Sequence, residues 1–214
     1  MTLDFPNYIR NAVSPSAPIS FEWDDETNVF LEDARLAKRI GVTTSRGMAA
    51  LCIGCAEWVV YRFSALSDDP MPFRYVEAAW VGLSDWNYIN IKHGAKIKDW
   101  TGPVRNPLFV TIRTLKEALE MASEGGYPAE WAVYLHFMAL HVLPDRKPFM
   151  KWLDSAIGRL GTYYAGDGMG DPVPREALDP DFDFKPEQAR DLIAQRIRKV
   201  ASSGNPYLIS SAIP

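Results

Sequence analysis

A chain of 214 residues, 47% hydrophobic and 23% charged, is long enough to bury a sizeable core and needs no disulfide or metal staple to fold. Its longest apolar stretches, Gly47–Ala56 and Trp131–Leu143, fall short of the roughly 18 residues that a membrane span requires, and Met1–Pro6 lacks the basic start and apolar run of a signal peptide. The net charge of −4 argues against a general affinity for nucleic acid, and two cysteines, Cys52 and Cys55, make no disulfide framework, so a reducing, cytoplasmic setting is expected.

Apolar residues recur at helical spacing almost throughout, while the alternation expected of strands is scarce. The first predicted helix runs from Thr27, a capping residue, to Arg39, with Lys38 and Arg39 favoured by the macrodipole at its end and Gly41 as its stop. The second, about Ser45 to Ala65, is apolar on nearly every side, as a central helix packed by several neighbours would be. The third begins near Pro72, carries Phe73, Val76, Trp80 and Leu83, and frays near Asn90. Four more are each opened by a proline placed as the first helical residue: Pro107, Pro128, Pro148 and Pro186.

Short connections such as Pro144–Lys147 make antiparallel neighbours of the helices they join. The expectation is therefore an all-α single domain spanning residues 1–214, with about seven antiparallel helices in a bundle or in stacked helical hairpins. Two stretches stand outside this pattern, Asn90–Asn106 and Gly166–Lys185, and long loops of this kind often carry function. Seven tryptophans and ten phenylalanines point to an aromatic-rich core, with some aromatics available as partner anchors.

Charge is unevenly distributed. The acidic loops near 20–27 and 166–185, with the residues that flank the first, concentrate it: Ser20–Asp33 and Asp167–Asp183 hold 12 of the 27 acids and one of the 23 bases. Such clusters are commonly just solvated, but they also steer basic protein partners. Lys92, His93, Lys96, Lys98 and Arg105, interleaved with Tyr88 and Trp100, have the chemistry of a single-strand binding surface. The cluster is small, however, and no nucleic-acid fold signature accompanies it.

Catalytic and metal patterns are weak. Cys52 and Cys55 form a C-x-x-C two turns inside an apolar helix, where thiols behave as inert small hydrophobes. Zinc shared with His136 and His141 would need a distorted helix, because residues five apart point in different directions. Asp179-Pro180-Asp181-Phe182-Asp183 starts like a calcium loop but has Phe184 where glycine is needed and Arg190 where glutamate is needed. No metal or other cofactor is expected.

Glu57 and Glu77 are the carboxylates best suited to acid/base work, since each sits on an apolar helix face near a tryptophan. The simpler expectation is that Glu57 is paired internally, with Arg62 or a tyrosine. The sequence thus favours a non-enzymatic, cytoplasmic protein-binding protein, an immunity- or antitoxin-type inhibitor of a basic toxin or nuclease. Its expected partner-binding residues are Glu22, Trp23, Asp24, Asp25, Glu26, Asp179, Asp181 and Asp183. The alternatives are an enzyme with an inter-helical acid/base site of Glu57, Glu77, His136 and His141, and a regulatory or scaffold subunit that forms a homodimer.

Overall fold

The structure, a computed structural model, describes residues 4–23, 29–91 and 100–213. Among these lie eight α-helices and no β-strand, only two isolated bridges. The helices are α1 (Asn7–Arg10), α2 (Ala34–Ile40), α3 (Ser45–Arg62), α4 (Met71–Gly82), α5 (Gly102–Ser123), α6 (Ala129–Val142), α7 (Lys147–Tyr163) and α8 (Ala189–Ala201). Short 3₁₀ turns stand at Trp86–Tyr88, Arg175–Leu178 and Pro186–Gln188.

Helix α3 is the axis of the domain. It packs against α4, α5, α6 and α7, and even its charged residues Glu57 and Arg62 are buried. Its lack of a polar face leaves it no stable place except the centre. Gly54 lets the indole of Trp152 and the side chain of Leu178 approach closely; a β-carbon there would stand 2.9 Å from the ring. Around it, Trp58, Phe149, Trp152 and Tyr8 form an aromatic cluster with ring centroids 5.5 to 6.1 Å apart. Half of the aromatic residues are buried in the core, Trp58, Trp80, Trp100 and Trp152 among them.

Arg62 closes the far end of this helix. Its guanidinium donates from Nε to the Val142 carbonyl at 3.3 Å, and from its two terminal nitrogens to the carbonyls of Pro15 and Pro18 at 3.4 and 3.0 Å. It thus satisfies a carbonyl at the end of α6 and fixes the N-terminal segment at once. The expected pairing of Arg62 with Glu57 does not occur, because three carbonyls at the other end of the helix already occupy its donors.

Several helix boundaries differ from expectation. Helix α2 starts at Ala34, where Asp33 accepts from the Leu36 N–H at 2.9 Å; the anticipated cap Thr27 lies outside the described residues. Pro107 does not open α5 but sits inside it, since Pro103 already occupies its first turn. Pro107 costs only the hydrogen bond to Pro103, at the exposed start of the helix. Pro128 is the residue before α6, Pro148 lies in the first turn of α7, and Pro186 begins a 3₁₀ turn ahead of α8. The tail after α8 packs back: Tyr207 meets Tyr75 edge-on, and Ile209 donates its N–H to the Tyr88 carbonyl. No helix among the described residues is long and apolar enough to cross a membrane.

Candidate functional site

The four candidate acid/base residues do not form one site. Glu57 is buried in α3, where its Oε1 accepts from Arg175 Nη2 at 2.7 Å and from the Trp80 indole at 3.0 Å. Glu77 lies on α4 near the same cations. His136 is buried on α6 and stacks with Phe149 at 5.8 Å. His141, near the end of α6, meets the rings of Phe21 and Trp23 and hydrogen-bonds the Glu22 carbonyl through Nε2 at 2.8 Å.

Glu57 belongs to an ion network built around Asp4. The Asp4 carboxylate is approached by Lys199 at 2.7 Å, Arg196 at 3.5 Å and Arg175 at 3.6 Å, and Arg196 also meets Glu176. Partial burial alone would raise the Asp4 carboxyl, but the three cations outweigh it and hold it below the usual range. Burial raises the Glu57 carboxyl against the pull of Arg175, Arg196 and Trp80. A cleft of about 200 Å³ beside the network is lined by Tyr8, Arg10, Arg175 and Arg196 together with Asp4, Glu176 and Asp179, so its charges largely cancel.

The cysteines sit deep in the core. Cys52 donates its thiol to the Pro128 carbonyl at 3.7 Å, and burial pushes both thiols up, away from the reactive thiolate. Among the described residues, no three or more histidine, cysteine, aspartate or glutamate side chains gather where a metal ion could be held.

The expected partner-binding residues fall on two separate segments. Glu22 is exposed and Trp23 half-buried, on a segment that packs against the end of α6; Asp24, Asp25 and Glu26 lie outside the described residues. Asp181 and Asp183 are exposed on a segment held by α7, where Arg159 donates to the carbonyls of Ala177 and Phe182. Asp179 accepts from the Asp181 N–H at 2.9 Å and so shapes the turn. Of the basic and aromatic cluster, Lys92, His93, Lys96 and Lys98 lie outside the described residues. Arg105 is placed over the Trp100 ring and beside Asp69, and Tyr88 stands elsewhere, in a 3₁₀ turn.

A groove of about 520 Å³ is assembled from four parts of the chain. Tyr163 and Tyr164 at the end of α7 form one wall, with Asp171 and Pro172 beyond them. Ser84, Asp85 and Tyr88 form the opposite side, and Ile193 and Ile197 of α8 contribute an apolar surface. Phe184 supports the tyrosine wall from behind, stacked on Tyr164 and edge-on to Tyr163. The Tyr164 hydroxyl is buried and has no hydrogen-bond partner. Burial and the nearby Asp171 push its pKa up, so it remains a neutral phenol at physiological pH.

The loop beside this groove, Tyr164–Asp171, is pinned to the start of α3. Thr43 and Thr44 both donate to the Tyr164 carbonyl, while the backbone N–H groups of Ser45 and Arg46 donate to the carbonyls of Gly168 and Met169. The loop thereby serves the unpaired donors of the first turn of α3. Gly170 has φ +71°, and a β-carbon there would run into the Thr44 side chain. Arg46 joins the loop to the opposite wall by donating to the carbonyls of Gly170 and Ser84. Exposed large apolar side chains stand around it: Val42, whose carbonyl accepts from Gly166, Tyr127, whose hydroxyl accepts from Gly168, and Tyr163. Asp167 and Asp171 are exposed on the same loop.

Asp167 and Asp171 are legible in the sequence as part of an acidic stretch, whereas nothing there marks Tyr127 or Tyr163 as surface residues. The available signal was the tyrosine pair Tyr163 and Tyr164, separated from Gly166 by one residue: a helix ending in aromatics and running into a glycine-rich acidic loop. Compared with protein-family models, curated proteins and solved structures, the chain matches none. Any functional reading therefore rests on its own residues.

Proposed function

We propose that this chain is a non-enzymatic protein-binding protein that recognises a basic protein partner, in the manner of an immunity- or antitoxin-type inhibitor of a toxin or nuclease. The observation that carries the reading is the face around Tyr164–Asp171, where Val42, Tyr127 and Tyr163 are exposed beside Asp167 and Asp171. Exposed aromatic and apolar side chains beside exposed carboxylates have a composition suited to protein recognition. Because the loop backbone is already fixed by α3, binding there loses little further conformational entropy. The exposed carboxylates Glu22, Asp181 and Asp183, with Asp24, Asp25 and Glu26, add to an acidic field that speeds encounter with a basic surface.

The test is to recover the tagged chain from its native cells at low salt and identify what accompanies it by native mass spectrometry. The reading expects a stoichiometric basic protein, released at high salt. With that partner in hand, Asp167→Lys and Asp171→Lys together should slow association about tenfold or more at low salt and less at high salt. Unchanged association kinetics would remove this face from the proposal. Recovery of the chain only as a dimer would favour the scaffold reading.

A second reading rests on the Glu57 network, whose Glu57 Oε2 and Tyr8 hydroxyl are buried without partners next to the smaller cleft. It is an acid/base site of Glu57 and Glu77, without the two histidines, which lie on α6 in other surroundings. Glu57→Gln would then abolish a measurable turnover in the protein that remains folded. A partner that binds Glu57→Gln normally, with no turnover found in the native protein, would set this reading aside.

A further inference from the structure

We infer that the groove between α7, α8 and Ser84–Tyr88 is a pocket for an arginine side chain presented by the partner. The inference rests on the protein-binding reading and names the residue that the surface would take. An arginine has three chemically distinct parts, and the groove offers a counterpart to each. Its methylene stem suits the apolar surface of Ile193 and Ile197. The flat, weakly hydrated guanidinium suits the aromatic rings of Tyr88 and Tyr163 on the lining, since a ring quadrupole attracts a cation. Its N–H fork suits the carboxylates Asp85 and Asp171.

The Tyr164 hydroxyl is a polar group of this wall whose hydrogen-bonding capacity is unused. It is buried on the lining of the groove without a hydrogen-bond partner, although a buried phenol normally has one.

The charge balance favours a cation but does not make the groove an indiscriminate one. Its lining carries Asp85, Asp171 and Glu187 against Arg190. Arg46 donates to the carbonyls of Gly170 and Ser84, packs over Trp86 and lies within electrostatic reach of both Asp85 and Asp171, so its charge counts against theirs. That leaves a small negative excess, so recognition depends on ring faces and hydrogen-bond geometry as well as on charge. Lysine, a compact and strongly hydrated charge, would use the rings and carboxylates less completely than arginine.

The experiment titrates the full chain with the peptide Ac-Gly-Arg-Gly-NH2, and with versions carrying citrulline or lysine in place of arginine, while following tyrosine ring resonances by NMR at physiological salt. Saturable shifts at Tyr163 and Tyr164 are expected with the arginine peptide. Citrulline has the same shape without the charge and should bind about tenfold more weakly. Asp171→Asn and Tyr163→Ala, both at exposed positions, should each weaken the arginine peptide severalfold while leaving the circular dichroism unchanged. Equal binding of citrulline, shifts confined to other residues, or no saturable shift would each overturn the pocket. Tighter binding of the lysine peptide would replace arginine by a general amine site and overturn the choice made here.

Protein binding and the arginine pocket fail separately. A cellular partner that binds Asp171→Asn/Tyr163→Ala as tightly as it binds the native chain leaves protein binding standing and removes the arginine pocket. Specific arginine-peptide binding by a chain that recovers no basic partner keeps the pocket and removes the proposed function.

Discussion

Arg175 reaches from the 3₁₀ turn after the glycine-rich loop to place Nη2 2.7 Å from Oε1 of Glu57, in the middle of the central helix. Both side chains are more than nine-tenths buried, and the pair anchors the whole 175–178 turn against α3. Removing one partner leaves the other buried charge without its nearest counter-ion, a change that typically costs about 3–5 kcal/mol. Glu57→Gln and Arg175→Met should therefore each lower the unfolding free energy by roughly that amount in urea denaturation. The double variant Glu57→Leu/Arg175→Met should recover most of the loss, because no orphaned charge remains. A double variant as unstable as the sum of the single changes would show that packing, not charge pairing, sets the cost.

Arg62 holds three backbone carbonyls in a site with no solvent exposure. Arg62→Met keeps the length of the side chain but strands those acceptors, for an expected loss of about 3 kcal/mol. Hydrogen exchange should also rise in residues 13–19 while staying low in the centre of α3. Uniform loss of protection across the protein would indicate that Arg62 supports the global fold rather than this segment.

Gly170→Ala tests whether the binding face is preorganised. The positive φ and the Thr44 side chain both oppose a β-carbon, so the substitution should destabilise the protein by about 2 kcal/mol. The same change should reduce partner affinity by more than the small increase in unfolded protein explains, since it disturbs the loop between Tyr163 and Asp171. A loss of stability with full affinity in the folded fraction would separate the loop geometry from recognition.

His136 gives the stability a pH dependence. Burial holds its imidazole below the ordinary value of 6.5, with Asp33 and Asp154 opposing the shift only in part. Below about pH 6.5 the unfolded chain takes up a proton that the folded protein refuses, so stability falls as pH drops through this window, by at most about 1.4 kcal/mol per pH unit. His136→Gln should flatten the dependence between pH 6.5 and the onset of carboxylate titration. Identical pH profiles for the two proteins would show that another group is responsible.

The sequence by itself determined the helical class, the central place of Ser45–Arg62 and the stop at Gly41, because each depends on local information: periodicity, capping and the absence of a polar face. It also located the acidic, glycine-rich loop, since glycine and aspartate mark such loops directly. It misplaced the start of α5 at Pro107, because a proline one turn earlier served equally well and local propensity does not choose between them.

Only the tertiary structure decided which charges meet. Glu57 finds Arg175 and Trp80 instead of nearby Arg62, since a helix points residues five apart in different directions, and Arg62 is drawn to carbonyls brought in by other segments. The groove was equally invisible: Tyr88, Tyr163, Asp171 and Ile193 come from separate stretches, each unremarkable alone. A core pattern repeats along one element and can be read from it, whereas a pocket exists only where several elements end together.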